Sequence, residues 1–423
     1  MNFLILGFGR TGKALKKYLD CRGLKSIVID DYADGLPKTE DVIDSINTFD
    51  AILLSPGVPM DHPIIERARE VDVDVIGDIE FAYREIKKDI PIVAVTGTNG
   101  KTTTTTLIGN LLKLSYNTFV GGNIGTPFIE AVPHSDELDI IVLEVSSFQL
   151  DKISTFKPHI ALLLNITEDH SDYYGSFADY VKSKLRIFSN QGSDDWAIVG
   201  CPEYVERLRS KAILLGRDIF FKNGGLSLIY NGRNYFIPKD IVKLPGKHNL
   251  LNVGFSFAAS VILGVDPERA FEVIREFEGL PHRLEYIGSF NGISFYNDSK
   301  ATNIDAVEKA LDSFDSSIIL LMGGRFKGGD LSKLIDPIKN KVKSLITFGE
   351  AGSLFADFYK SAVESIFAGD LRTAVRVAIE KASPGDTILL SPACSSFDSF
   401  SDYKERGKFF REEVMRWIGK SSS

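Results

Sequence analysis

Between residue 3 and about residue 89, apolar runs at 3–6, 26–29, 51–54 and 73–76 alternate with longer segments of helical spacing. Short apolar strands separated by helices describe a parallel sheet covered on its faces. The rhythm begins again with a strand that ends near 96 and continues through 140–143 and 160–164, with a helical stretch over 249–263. Beyond Pro281 it recurs a third time, with strands at 294–296, 317–321, 344–348 and 387–390 and a helix over 371–381. Residues 196–245 break the pattern. Their short alternating pieces at 227–230 and 234–237 flank Asn231-Gly232, a hairpin signal, and are expected to add antiparallel strands to the middle region.

The pattern therefore predicts an α/β protein of three domains. These are an N-terminal Rossmann-like parallel sheet over 1–88, a central P-loop ATPase-type α/β domain with extra antiparallel strands over 89–279, and a C-terminal Rossmann-like α/β domain over 280–423. A length of 423 residues suits several domains of ordinary size.

Charge narrows the partners. Acidic residues outnumber basic ones 57 to 49, a net charge of -8, and no basic block follows a nucleic-acid backbone. Cys21, Cys201 and Cys394 stand apart from one another, which fits reduced thiols in a cytoplasmic protein. No apolar run reaches the roughly 18 residues a membrane helix needs, so neither membrane nor nucleic acid is an expected partner.

The chemistry begins at the second strand set. Val93-Ala94-Val95-Thr96 runs into Gly97-Thr98-Asn99-Gly100-Lys101-Thr102, a glycine loop closed by Lys-Thr. Glycines let backbone N–H groups converge on phosphate oxygens, the lysine adds a point charge, and the threonine hydroxyl suits Mg²⁺. The common phosphate loop has four residues between its glycines, whereas this one has two, and an ordinary strand-to-helix turn is the plain alternative. Gly7-Phe8-Gly9-Arg10-Thr11-Gly12, with Asp30 and Asp31 about 20 residues on, matches a dinucleotide fingerprint. A nucleotide on that turn and a merely tight turn both remain open. Ser55-Pro56-Gly57 closes a later strand and faces the same crevice in this reading.

Glu144 ends an apolar strand and is a candidate Mg²⁺ ligand or a solvated strand-end carboxylate. Asn165 to Asp172 gathers acids around His170, in the manner of a metal loop or a solvated one. Lys184 lies on an amphipathic basic helix whose default role is a wet face. Asn249 opens a helix as a polar cap, and Asn252 follows on the same face. Arg283 stands at a domain junction, and Asn297-Asp298-Ser299-Lys300-Ala301-Thr302-Asn303 reads as a binding loop.

Taken in order, GTNGKT at 97–102, GGNIG at 121–125, EVSSFQL at 144–150, NITEDH at 165–170, KLRIF at 184–188, GKHN at 246–249, LPHR at 280–283 and NDSKATN at 297–303 resemble the Mur ligases of peptidoglycan synthesis. SPACSSFDSF at 391–400 extends the resemblance across nearly the whole chain. It implies ATP-dependent amide formation, adding D-glutamate to UDP-N-acetylmuramoyl-L-alanine through an acyl phosphate, in a cytoplasmic monomer that serves cell-wall synthesis.

The resemblance also distributes roles. ATP would lie on Gly97, Thr98, Asn99, Gly100, Lys101 and Thr102, with Asn249, Asn252, Arg283, Asp298 and Lys300. Two Mg²⁺ ions would be held by Thr102, Glu144, His170 and a carbamylated Lys184, and Lys101, Glu144, His170 and Lys184 would be catalytic. The UDP-sugar would meet Gly9, Thr11, Gly12, Asp30, Ser55, Gly57, Asn123 and Ser146. D-Glutamate would meet Thr302, Lys327, Ser396 and Tyr403, the last in place of a common phenylalanine. Three rival readings stay open: an NAD-dependent oxidoreductase, an ATP-driven switch, and another amide ligase such as a folylpolyglutamate synthetase.

Overall fold

The computed structural model describes residues 1–169, 173–315 and 317–421. Two compact units emerge, one of Met1–Pro238 with Asn252–Ile274 and the other of Lys239–Leu251 with Arg275–Ser423.

The first unit holds three sheets. Strands β1 (Asn2–Leu6), β2 (Lys25–Ile29), β3 (Ala51–Leu54) and β4 (Asp74–Gly77) form a parallel sheet in the order β2-β1-β3-β4. A second parallel sheet comprises β5 (Ile92–Thr96), β6 (Thr118–Gly122), β7 (Ile140–Glu144), β8 (Ile160–Leu163), β9 (Trp196–Val199) and β10 (Lys211–Leu214). Its order is β10-β9-β8-β5-β7-β6. The chain thus leaves β5 on one side, returns through β7 and crosses to β8 on the other. The carboxyl ends of β5, β7 and β8 border the crevice where open α/β sheets present their sites.

The third sheet is antiparallel: β11 (Ile219–Lys222), β12 (Gly225–Tyr230) and β13 (Arg233–Pro238), with the β12–β13 turn at Asn231-Gly232. The hairpin is where its turn residues put it. It stands as a sheet of its own, while 196–214 extends the parallel sheet by two strands, because Ala197, Ile198 and Val199 are buried on both faces and so lack the alternation of a half-exposed strand.

One apolar cluster runs from the first sheet into the second, joining Phe3, Ile5 and Phe81 to Ile92, Phe128 and Phe156. Helix Asp78–Glu85 lies between the sheets, its Phe81 ring edge-on to Phe3 at 5.8 Å. A separate cluster fills the other face of the first sheet.

The second unit carries β14 (Glu285–Phe290), β15 (Ile293–Asn297), β16 (Ile318–Gly323), β17 (Val342–Phe348), β18 (Glu364–Phe367) and β19 (Thr387–Leu390) in the order β14-β15-β19-β16-β17-β18. β14 is antiparallel to β15 and the remaining pairs are parallel. β19 returns between β15 and β16, so the loops that follow these three strands are neighbours. Apolar clusters cover both faces of this sheet.

Candidate active site

Strand β5 is buried throughout and runs into Gly97, whose φ of +155° strains any other residue and where a Cβ would stand only 3.1 Å from Leu164 Cβ. Gly100 has φ +85°, and a Cβ there would fall 2.6 Å from Asn252 Oδ1. Both glycines are therefore required by the turn, and Asn252 lies directly against the loop. Helix Lys101–Leu112 starts at once, directing its positive N-terminal end at the loop's mouth.

Asn165, at the end of the adjacent strand, latches the loop from both sides. Asn99 N–H donates to Asn165 Oδ1 at 2.9 Å, and Asn165 Nδ2 donates to the Asn99 carbonyl at 3.0 Å. Thr98 is fixed similarly: its N–H donates to the Asn165 carbonyl, and its hydroxyl lies 3.2 Å from the Tyr180 hydroxyl. Lys101 Nζ donates to the carbonyls of Gly97 and Thr98 at 2.8 and 2.9 Å, so its charge sits over the turn.

Thr102 Oγ1 donates to Glu144 Oε2 at 2.7 Å, while Asn123 Nδ2 donates to Oε1 at 2.9 Å. Glu144 is 3% exposed. A carboxylate, a hydroxyl and an amide thus meet beside the phosphate loop, a hard-oxygen set of the kind Mg²⁺ takes. Among the described residues no three His, Cys, Asp or Glu side chains gather, so a metal here depends on neutral oxygens as well as Glu144. His170 lies outside the described residues.

Lys184 is only 1% exposed, which overturns the wet-face reading of its helix, Phe177–Leu185. Its Nζ donates to the Gly97 carbonyl at 2.8 Å, the same oxygen that receives Lys101, and lies 4.5 Å from the centre of the Tyr180 ring. Burial, and secondly the neighbouring Lys101 charge, push its pKa well below the usual lysine range.

The N-terminal glycine turn is equally constrained. Gly7 has φ +91°, and a Cβ on Gly12 would fall 2.0 Å from the Gly7 carbonyl oxygen. Gly9 caps helix Arg10–Cys21, and Thr11 is half-buried in its first turn. Asp30 Oδ2 accepts Phe8 N–H of the turn at 2.8 Å, while Oδ1 accepts Tyr32 N–H at 3.0 Å in its own loop after β2. The Phe8 bond is the main reason its carboxyl titrates below the usual range. Ser55 Oγ donates to the Gly7 carbonyl at 2.8 Å, and Gly57 is exposed beside it. Ser146 caps helix Ser147–Leu150, accepting Gln149 N–H.

In the second unit Asn249 is not the expected cap. Helix Lys247–Ile262 has already begun, and Asn249 Nδ2 donates back to the Pro245 carbonyl at 2.8 Å. Asp298 accepts Leu284 N–H and the Ser391 hydroxyl, both at 3.1 Å, and burial pushes its carboxyl up to about 7, against the pull of Arg283. Lys300 Nζ lies 4.1 Å from the centre of the Tyr403 ring. Thr302 is half-buried just beyond that turn, and Lys327 is exposed in the loop after β16. Backbone bonds of 3.0 Å each way between Arg325 and Ser395 tie the Lys327 loop to the buried Ser396 segment.

Several residues that organise these sites carry no sequence signal. Arg406 is fully buried and donates to the carbonyls of Ser299, Cys394 and Ser395, drawing together the loops after β15 and β19. Lys152 reaches into a loop of the first sheet. Asn165 was visible in NITEDH, but its latch needs two strand ends side by side.

A phosphate loop with a carboxylate on the neighbouring strand, joined to two further α/β modules, describes a nucleotide-using ligase, and the chain belongs to the Mur ligase family. The MurD-like N-terminal domain of the Mur ligases matches residues 1–77, the Mur ligase middle domain 95–260, and the Mur ligase glutamate ligase domain 282–394. The chain is similar to the protein named UDP-N-acetylmuramoylalanine--D-glutamate ligase of Geotalea daltonii, 40% identical over 443 residues that cover 98% of this chain and 97% of that one. The protein of the same name from Geotalea uraniireducens is 39% identical over 438 residues, covering 97% and 96%. In fold it is similar to the crystal structure of the UDP-N-acetylmuramate-alanine ligase MurC of Thermotoga maritima, with TM-score 0.63, 21% identity and all of both chains covered.

Proposed function

We propose that this chain is an ATP-dependent ligase that joins D-glutamate to UDP-N-acetylmuramoyl-L-alanine, giving the amide, ADP and phosphate. It acts as a cytoplasmic monomer on small-molecule substrates, with the three domains at 1–88, 89–279 and 280–423. The observation that carries this reading is the Thr102–Glu144 hydrogen bond beside Lys101, within a chain 40% identical to a relative of that name. No helix among the described residues is long and apolar enough to cross a membrane.

The chemistry follows from charge. The alanyl carboxylate attacks the γ-phosphorus of ATP, its new O–P bond replacing the bond to ADP. Two anions meet, and Lys101, with the N–H groups that open helix Lys101–Leu112, stabilises the charge spread over the phosphoryl oxygens. The D-glutamate nitrogen, as the free amine, then attacks the acyl carbon, and phosphate leaves with the former carboxylate oxygen and, in net, the proton the nitrogen gives up. Mg²⁺ would neutralise the approaching anions when bound, with Thr102 and Glu144 holding one ion and His170 and carbamylated Lys184 the other. Unmodified ammonium has no lone pair to give a metal, whereas a buried neutral amine can take up CO₂ and become a carboxylate-like oxygen donor. Asn252 lies on the nucleotide side of the loop, and Arg283, Asp298 and Lys300 complete the ATP contacts. The Gly9–Gly12 turn, Asp30, Ser55, Gly57, Asn123 and Ser146 receive the UDP-sugar, and Thr302, Lys327, Ser396 and Tyr403 receive D-glutamate.

Phosphate release with ATP, Mg²⁺ and UDP-N-acetylmuramoyl-L-alanine is expected to require D-glutamate in a panel of D- and L-amino acids. Preference for L-alanine, lysine or meso-diaminopimelate would reassign the chain within the family. Release indifferent to every amino acid would indicate a switch. Asn165→Ala removes both side-chain latches on Asn99, and the KM for ATP should rise about tenfold, the worth of one or two hydrogen bonds. An unchanged KM for ATP would show that the loop holds its shape without them.

A further inference from the structure

Lys152 follows the short helix Ser147–Leu150, and its ammonium is spent on one loop of the first sheet. Nζ donates to the carbonyls of Ser55, Pro56 and Val58 at 3.1, 3.0 and 2.8 Å. An ammonium has three N–H donors, so all three are used on backbone between β3 and the next helix. The residue is 8% exposed. A buried cation that spends its donors on carbonyls is an expensive way to add stability, and what it does secure is the shape of the loop.

That loop forms a wall of the glycine turn. Besides the Ser55 Oγ bond to the Gly7 carbonyl, a Cβ on Gly7 would stand 3.1 Å from Ser55 Cβ and 3.3 Å from Val58 Cγ2, and one on Gly12 would stand 3.2 Å from Ser55 Oγ. Lys152 is itself seated closely, since a Cβ on Gly77 would fall 2.5 Å from Lys152 Cβ. Gln149, three residues before it, donates to Asp78 Oδ2 at 2.8 Å and fixes the same segment to the next strand end.

We infer that Lys152 is a positioning residue for the nucleotide-sugar substrate, holding the Ser55–Val58 loop of the first sheet against the Gly7–Gly12 turn from the central module. This rests on the reading that the turn receives the UDP moiety. The role belongs to substrate affinity and not to phosphoryl transfer, because all three Lys152 donors go to the carbonyls of the Ser55–Val58 loop.

The test is Lys152→Met in the full chain, a variant of similar length without donors, with steady-state constants for all three substrates. The KM for UDP-N-acetylmuramoyl-L-alanine should rise about tenfold to a hundredfold, while the KM values for ATP and D-glutamate and kcat stay within about threefold. A uniform change in all constants, or no change in the nucleotide-sugar KM, would overturn the inference. If the wild type shows no D-glutamate-dependent turnover, calorimetric titration of wild type and variant with UDP decides the matter separately. Weaker UDP binding by the variant upholds the role of Lys152 while the activity reading fails, and equal or undetectable binding by both rejects it. Lys152→Gln, which keeps donors without charge, replaces the methionine variant should that one not fold. Failure of both to fold would mean that the ammonium holds the fold itself, and the positioning role would be lost.

Discussion

Lys101→Met is expected to lower ATP-dependent phosphate release roughly a thousandfold, the scale seen when one preorganised charge or donor is removed from a developing anion. In the proposed site the lysine charge lies over the loop: its Nζ is held 2.8 Å from the Gly97 carbonyl, beside two glycines of positive φ. Methionine keeps the volume and leaves the Thr102–Glu144 pair in place, so the fold should be retained. A variant with more than about a tenth of wild-type turnover would fall outside that scale and deny Lys101 its role. Lys184 donates to the same Gly97 carbonyl as Lys101, and burial, followed by the Lys101 charge, lowers its pKa well below the usual lysine range.

Glu80→Gln should destabilise the first unit by about 3 kcal/mol at neutral pH. Glu80 lies on the helix between the two parallel sheets, 1% exposed at its side chain, and accepts N–H groups from Ser154, Thr155 and Phe156 and the hydroxyl of Thr155. Burial alone would raise its pKa, but these donors outweigh it and hold the carboxyl at about 2, against an ordinary 4.5. Because the folded-state value is depressed, the stabilisation is complete above the unfolded value and is lost as pH falls through the folded one. Glutamine turns an N–H₂ toward donors and has no such window. Urea unfolding reported by Trp196, in a Trp417→Phe background, should show the wild-type advantage at pH 7 and its shrinkage below pH 4.5. Parallel stability curves across that range would contradict the assignment.

Much of this architecture was legible in the chain because a buried parallel strand is written as an uninterrupted apolar run. β1, β3, β5, β7 and β8 are such runs, and each stands within a residue or two of its expected span. β6 was not, since Thr118–Gly122 carries two glycines and half-exposed positions. β9 and β10 were hidden by their short length and by the hairpin signal downstream. The phosphate loop and Glu144 could be read because glycine, lysine and a strand-end acid have few other reasons to occur in that order. The burial of Lys184 could not, since helical spacing alone does not say what packs over a basic face. Lys152, Glu80 and Arg406 were silent for a similar reason. Each works through backbone groups brought near by tertiary structure, and a carbonyl looks the same in every sequence.

The apolar cluster shared by Phe3, Phe81, Ile92 and Phe156 gives the first two parallel sheets one continuous interior. A recombination point between residues 77 and 92 would divide a hydrophobic interior instead of a tether. Exchange of the first-sheet module between relatives must therefore carry its matching partners along, Glu80 with 154–156 and the 55–58 loop with Lys152, or lose the fit that either half alone cannot encode.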